Sequence, residues 1–170
     1  MAPLEADQIL ACLERYGVRY VLIGGLAAVL HGSPQVTFDA DICPAPDPSN
    51  LDALAGALRE MRARVRTPDV PDGLPFACDA RFLAGVSVLN LVTRFGELDI
   101  SFTPSGTGGY PDLLAGAVTM RLEKTVVPVA ALEDVIRSKE AANRAKDQRT
   151  LPLLRQLLAE IARRPKAPDD

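Results

Sequence analysis

The chain has 170 residues, 48% of them hydrophobic and 24% charged, with a mean hydropathy of +0.08 and a formal net charge of −3. That is enough apolar material for one packed domain, and it excludes disorder, collagen and coiled coil. No apolar run approaches the ~20 residues of a membrane span, and a pI of about 5.2 is a poor match for coating long nucleic acid.

In chain order, Leu4 to Tyr16 places apolar residues at Ile9, Leu10, Leu13 and Tyr16, a helical spacing closed by Gly17. Arg19 to Ile23 reads as a buried strand stopped by Gly24-Gly25. Leu26 to His31 reads as one or two helical turns ended by Gly32-Ser33-Pro34. Val36 to Cys43 reads as a second strand. After the proline-rich turn at 44–48, Ser49 is the expected cap of a helix from Asn50 to Arg62, with Asp52 in the capping-box position. Thr67 to Asp79 is rich in Pro, Asp and Gly and reads as a loop. Arg81 to Thr93 is expected to hold one or two strands, clearest over Val86 to Val92. A turn at 94–97 and a strand from Leu98 to Phe102 then complete a hairpin. Pro104 to Gly109 reads as a loop, Pro111 to Gly116 as a short helix, and Val118 to Val129 as one or two short strands. Helices follow over Ala131–Asn143 and Asp147–Arg163. This order predicts an α+β fold: a mixed, mostly antiparallel sheet with helices on one face and a C-terminal helical segment. The expected organisation is a single domain, with a core over 1–130, packed helices over 131–164 and a frayed tail over 165–170.

Three cysteines at irregular spacing and a single histidine fit neither a zinc site nor a disulfide framework. The first residues lack a basic segment followed by an apolar one, so no signal peptide is read and the chain is expected in the cytoplasm. Charge is uneven along the chain. Residues 1–119 hold 8 Lys+Arg against 14 Asp+Glu, whereas residues 120–170 hold 11 against 8. A site built from both ends would bring carboxylates and cations together.

The chemistry concentrates in Gly24-Gly25, Thr37, Asp39-Ala40-Asp41 and Asp99. Residues i and i+2 of a strand share a face, so Asp39 and Asp41 stand side by side with like charges. A divalent cation removes that penalty, and hard carboxylate oxygens suit Mg²⁺, which commonly bridges to substrate phosphates. Two glycines between a strand and a helix let a phosphate approach backbone N–H groups closely. Asp99 is a lone carboxylate on an otherwise apolar strand. Beside Asp39 and Asp41 it would complete a three-carboxylate cluster able to hold two metal ions.

A hydrophobic strand, Gly-Gly, a short helix, Asp-x-Asp and a later Asp, in that order, resemble the nucleotidyltransferase superfamily with a DNA polymerase β-like palm. The branch it resembles is the small bacterial one of minimal nucleotidyltransferases and AbiEii-type toxins. His31-Gly32, Thr37 and the segment from Pro128 through Lys139 to Lys146-Asp147 match that branch too, and the resemblance spans residues 18–155. It implies that Asp39, Asp41 and Asp99 are catalytic and ligate Mg²⁺, two ions when a nucleoside triphosphate is bound. It also implies nucleotide contacts from Gly24, Gly25, Ser33, Thr37, Lys139 and Lys146. Asp147 would orient Lys146 or touch the base or acceptor. The implied reaction moves a nucleoside monophosphate from an NTP to an acceptor hydroxyl on an RNA or tRNA end or a protein, with an antitoxin or a second copy as partner. Two alternatives accompany it: an aminoglycoside-type small-molecule transferase, and an inactive module serving as antitoxin, nucleotide sensor or subunit. Gln35 stands where many relatives carry Arg, which removes a fixed cation. His31 reads as structural, Cys43 as core, and Lys139, Arg144, Lys146 and Arg149 equally as a solvated helix face.

Overall fold

The register of a few strand pairs decides where the carboxylates meet. The computed structural model describes residues 2–165, so the expected tail over 165–170 lies almost wholly outside the described residues. Fourteen elements follow one another. They are α1 (Ala6–Arg15), β1 (Tyr20–Ile23), α2 (Gly24–Leu30), β2 (Asp39–Pro44), α3 (Pro48–Glu60), β3 (Arg64–Val65), α4 (Ala80–Ala84), β4 (Val88–Thr93), β5 (Gly96–Ser101), α5 (Tyr110–Gly116), β6 (Val118–Leu122), β7 (Thr125–Val129), α6 (Leu132–Ala142) and α7 (Ala145–Arg163).

The strands form one open sheet in the order β3-β4-β5-β2-β1-β7-β6. Four of the neighbouring pairs are antiparallel; β2–β5 and β1–β7 are parallel. The fold is thus the mixed, mostly antiparallel α+β architecture that the element order implies. Alternation along β2 and β5 sorts their two faces. Ala40 and Ile42 pair in register with Leu98 and Ile100, and all four are fully buried. Asp39 and Asp41, one residue out of phase, share the opposite face with Glu97 and Asp99. The buried cluster runs without interruption from Ile9 to Leu154, with α1 against α3 and β7, α2 against β1, β2 and α6, and α6 against α7.

Several local expectations are corrected. β2 begins at Asp39 rather than Val36, because the neighbouring strands end there: Ile23 of β1 pairs with Asp41, and Glu97 of β5 with Asp39. Val36 and Phe38 therefore have no strand beside them and stand 77% and 78% exposed. Asp47, not Ser49, caps α3. Its carboxylate accepts the Asn50 N–H, Pro48 occupies the first turn, and the Ser49 hydroxyl donates to Asp47. Asn50 is turned inward, accepting from the Arg19 N–H and donating to the carbonyls of Arg19 and Ala45. The stretch from Arg81 starts as helix α4, capped by Asp79 through the Phe82 N–H at 2.8 Å. The run Phe82-Leu83-Ala84 carries no decisive period, and the cap selects helix. β5 starts at Gly96, which narrows the hairpin turn to Arg94-Phe95. α7 starts at Ala145 and includes Asp147 in its first turn.

Candidate active site

At the end of β1 the chain turns directly into α2, and Gly24 makes the turn with φ of +70°. A Cβ at Gly24 would stand 2.5 Å from Asp41 Oδ2, and one at Gly25 would stand 3.2 Å from Thr37 Oγ1. Both glycines are therefore set by close approach of the Asp-x-Asp segment, and at Gly24 by backbone conformation as well. Thr37 donates its hydroxyl to the Asp39 carbonyl at 3.0 Å, which fixes the loop that leads into β2.

The parallel register of β2 and β5 puts Asp41 directly opposite Asp99. One carboxylate oxygen from each of Asp39, Asp41 and Asp99 lies within 4.8 Å of the others. Burial pushes the Asp41 carboxyl up to about 7, reinforced by the charges of Asp39 and Asp99 and opposed by Lys146 and Lys139. Burial likewise raises Asp99, with the adjoining Asp39 carboxylate adding to it and the Arg66 cation opposing it. Arg66 reaches over from the end of β3. Its guanidinium lies 2.9 Å from Glu97 Oε2 and 2.9 Å from Asp99 Oδ1. The second contact is close but poorly aimed, so Asp99 Oδ1 is buried with no hydrogen-bond partner among the described residues. Three converging carboxylates, two of them protonating far above the normal range and one with an orphaned oxygen, fit a hard divalent cation such as Mg²⁺.

This wall faces a cavity of about 670 Å³ that is also lined by Ser138, Lys139, Arg144, Lys146 and Thr150 of α6, α7 and the turn between them. Asp147 has no solvent exposure. Its carboxylate accepts the Arg144 backbone N–H at 3.1 Å, Arg144 Nε at 2.8 Å, Arg144 Nη2 at 3.3 Å and Lys139 Nζ at 3.5 Å. Burial alone would raise Asp147, but these donors and cations outweigh it and hold the acid below its ordinary value. The expectation that Asp147 serves Lys146 is corrected: its cations are Lys139 and Arg144, and Lys146 is exposed on the cavity rim.

Of the residues singled out in the sequence, Asp39, Asp41, Asp99, Gly24, Gly25, Thr37, Lys139 and Lys146 all line this one cavity. Ser33 does not; it is buried, and its hydroxyl accepts the Gln35 N–H at a long 3.5 Å. The His31 ring places Nε2 2.8 Å from the Ala130 carbonyl, so Nε2 carries a proton and ties the end of α2 to the β7–α6 junction. Glu97, Arg66 and Asn90 were not singled out as site residues, whereas Arg144, weighed equally for a phosphate role and a solvated helix face, lines the cavity. Glu97 was within reach of the argument applied to Asp39 and Asp41, since it stands two residues before Asp99 on the same face. Arg66 carried no sequence signal, because only the β3–β4 pairing brings it to β5.

No known family profile matches the sequence, and no curated protein matches it. Solved structures do. The crystal structure of the lincosamide antibiotic adenylyltransferase LnuA, lincomycin-bound, aligns with a TM-score of 0.60 at 18% identity, over 91% of this chain and 99% of that one. A Thermotoga maritima protein inferred to be a nucleotidyltransferase aligns with a TM-score of 0.53 at 17% identity, over 94% and 98%. The chain has the nucleotidyltransferase fold. Among the described residues, no helix is long and apolar enough to cross a membrane.

Proposed function

We propose that the protein is a Mg²⁺-dependent nucleotidyltransferase that moves a nucleoside monophosphate from an NTP to an acceptor hydroxyl. The observation that carries this reading is the convergence of Asp39, Asp41 and Asp99 in one cavity with the cations of α6, α7 and the turn between them. Asp39, Asp41 and Asp99 would hold the metal, which when bound lowers the acceptor pKa and screens the phosphate charge. Gly24 and Gly25 offer backbone N–H groups to the β- and γ-phosphates, and Lys139, Arg144 and Lys146 offer cations. The acceptor oxygen attacks the α-phosphorus, the bond from that phosphorus to its bridging oxygen breaks, and pyrophosphate leaves. Asp99 takes the hydroxyl proton.

Two acceptor classes remain in play. An RNA end or a protein side chain, with an antitoxin or second copy as partner, follows from the resemblance to the small bacterial branch. A small-molecule acceptor is favoured by three observations. LnuA acts on a lincosamide in a chain that this one spans almost completely. Glu97 lines the cavity on the same strand face as Asp99, and this added negative charge opposes a polyanionic acceptor. Exposed Val36, Phe38 and Val88 add an apolar rim that suits a compact organic molecule. The test is pyrophosphate release from each NTP with Mg²⁺, using total tRNA, a protein lysate and a panel of hydroxylated antibiotics as acceptors. Release above that of Asp39→Ala/Asp41→Ala supports the reading and identifies the acceptor. Equal release from both chains in every arm contradicts it.

A further inference from the structure

The proposed chemistry makes no direct use of Asp147, yet this is the only fully buried carboxylate among the described residues. Burying a carboxylate is costly unless its oxygens are fully matched. A helix cap alone does not require it, because the N–H groups of a first turn can be met by a neutral Ser, Thr or Asn. What Asp147 has in addition is two cations. Lys139 comes from the last turn of α6 and Arg144 from the start of α7, with left-handed Asn143 (φ +50°) turning the chain between them. Asp147 Oδ1 takes Lys139 Nζ and Arg144 Nη2, and Oδ2 takes Arg144 Nε and the Arg144 backbone N–H. Both side chains line the large cavity and a small pocket of about 60 Å³ behind Gly24. Free Lys and Arg side chains lose substantial rotamer entropy on binding a ligand; a buried anion that fixes them beforehand removes part of that cost.

We infer that Asp147 is a positioning residue that holds Lys139 and Arg144 as a preformed clamp for the polyphosphate chain of the substrate. The inference rests on the nucleotidyltransferase reading and adds to it a role for Asp147 that neither the fold nor the carboxylate cluster requires. Asp147 does not touch the ligand; it acts through the two cations. Its contribution is therefore specific to the phosphates and indifferent to the base.

The experiment is calorimetric titration of inorganic tripolyphosphate with Mg²⁺ into the full chain. The variants are Asp147→Asn, Arg144→Gln, the double variant, and Lys139→Met, at a temperature where circular dichroism shows each folded. Asp147→Asn keeps one oxygen for the Arg144 backbone N–H but replaces the other, together with the charge, by an amide NH2 that cannot accept from the cations. The expected result is a weakening of roughly ten-fold or more for Asp147→Asn, in the range seen when the partner that orients a ligand-binding group is lost. Arg144→Gln should then add little to Asp147→Asn, as groups acting in series do. Mg²⁺ binding without polyphosphate should be unchanged. If Asp147→Asn does not fold, Asp147→Glu, which moves the carboxylate by one methylene, takes its place in the same cycle. Unchanged affinity in the Asp147 variant, or losses that add in full, overturns this inference alone. Failure of the intact chain to bind tripolyphosphate with Mg²⁺ overturns the inference and the nucleotidyltransferase reading together.

Discussion

The two walls of the cavity are built by different means. The carboxylate wall is made by sheet register: the carboxyls of Asp39, Asp41, Glu97 and Asp99 stand only one or two methylene groups from a hydrogen-bonded backbone. The cationic wall is made by side chains that reach: Lys139, Arg144 and Lys146 stand near a helix–helix turn, two of them gathered by Asp147. The first wall is rigid and internally repulsive, the second pliable and internally neutralised. Precision is thus invested where a metal would sit, and adaptability where a phosphate chain would lie.

Breaking the carboxylate wall should have the largest effect. Asp39→Ala removes a proposed metal ligand, and a metal worth several kcal/mol of charge stabilisation at ~1.4 kcal/mol per decade implies a loss on the order of 10³-fold in turnover, read by pyrophosphate release. Next, Gly24→Ala forces an L-residue to φ +70° and drives a methyl group to 2.5 Å from Asp41 Oδ2. It should cost about 2–4 kcal/mol in urea unfolding. Gly25→Ala, which meets only the Thr37 hydroxyl at 3.2 Å, should cost less than ~1 kcal/mol.

The repulsive character of the same wall has a pH signature. The folded-state pKa of Asp41 is raised from 3.8 to about 7, so the folded chain holds more protons than the unfolded one between those values. Its contribution to stability is complete below the lower value and is lost as pH rises through the upper one. Thermal melts without divalent cations should show stability falling across that window, and Asp41→Asn should flatten the fall while abolishing the Mg²⁺ response. Added Mg²⁺ should raise the intact chain's melting temperature more at pH 8 than at pH 5.5, because only the ionised acids ligate it. The smallest effect belongs to the pliable wall. Lys146→Met should weaken NTP binding about three-fold, and raised salt should erase the difference, since an exposed cation is screened.

These two walls also differ in how far the sequence revealed them. Asp39 and Asp41 are visible because a strand's two-residue period is local, and Asp99 because it interrupts an apolar strand. The Asp41–Asp99 pairing followed once those strands were taken as neighbours. Arg66 was invisible, since its position depends on a two-residue strand with no pattern of its own. Asp147 was visible as a residue but not in its role. Whether it serves Lys146, one residue before it, or Lys139, eight residues before it, is settled by the α6–α7 turn rather than by spacing. The boundaries of β2 and the caps of α3 and α4 were missed for related reasons. A strand ends where its partner ends, and an Asp cap can override a neighbouring Ser or an ambiguous apolar run.

The most direct measurement is calorimetric titration of non-hydrolysable analogues of the four NTPs, with and without Mg²⁺, into the intact chain and into Asp39→Ala/Asp41→Ala. The account predicts binding that requires Mg²⁺ and disappears in the variant. Binding that is equally strong without Mg²⁺, or that survives loss of both carboxylates, would contradict it.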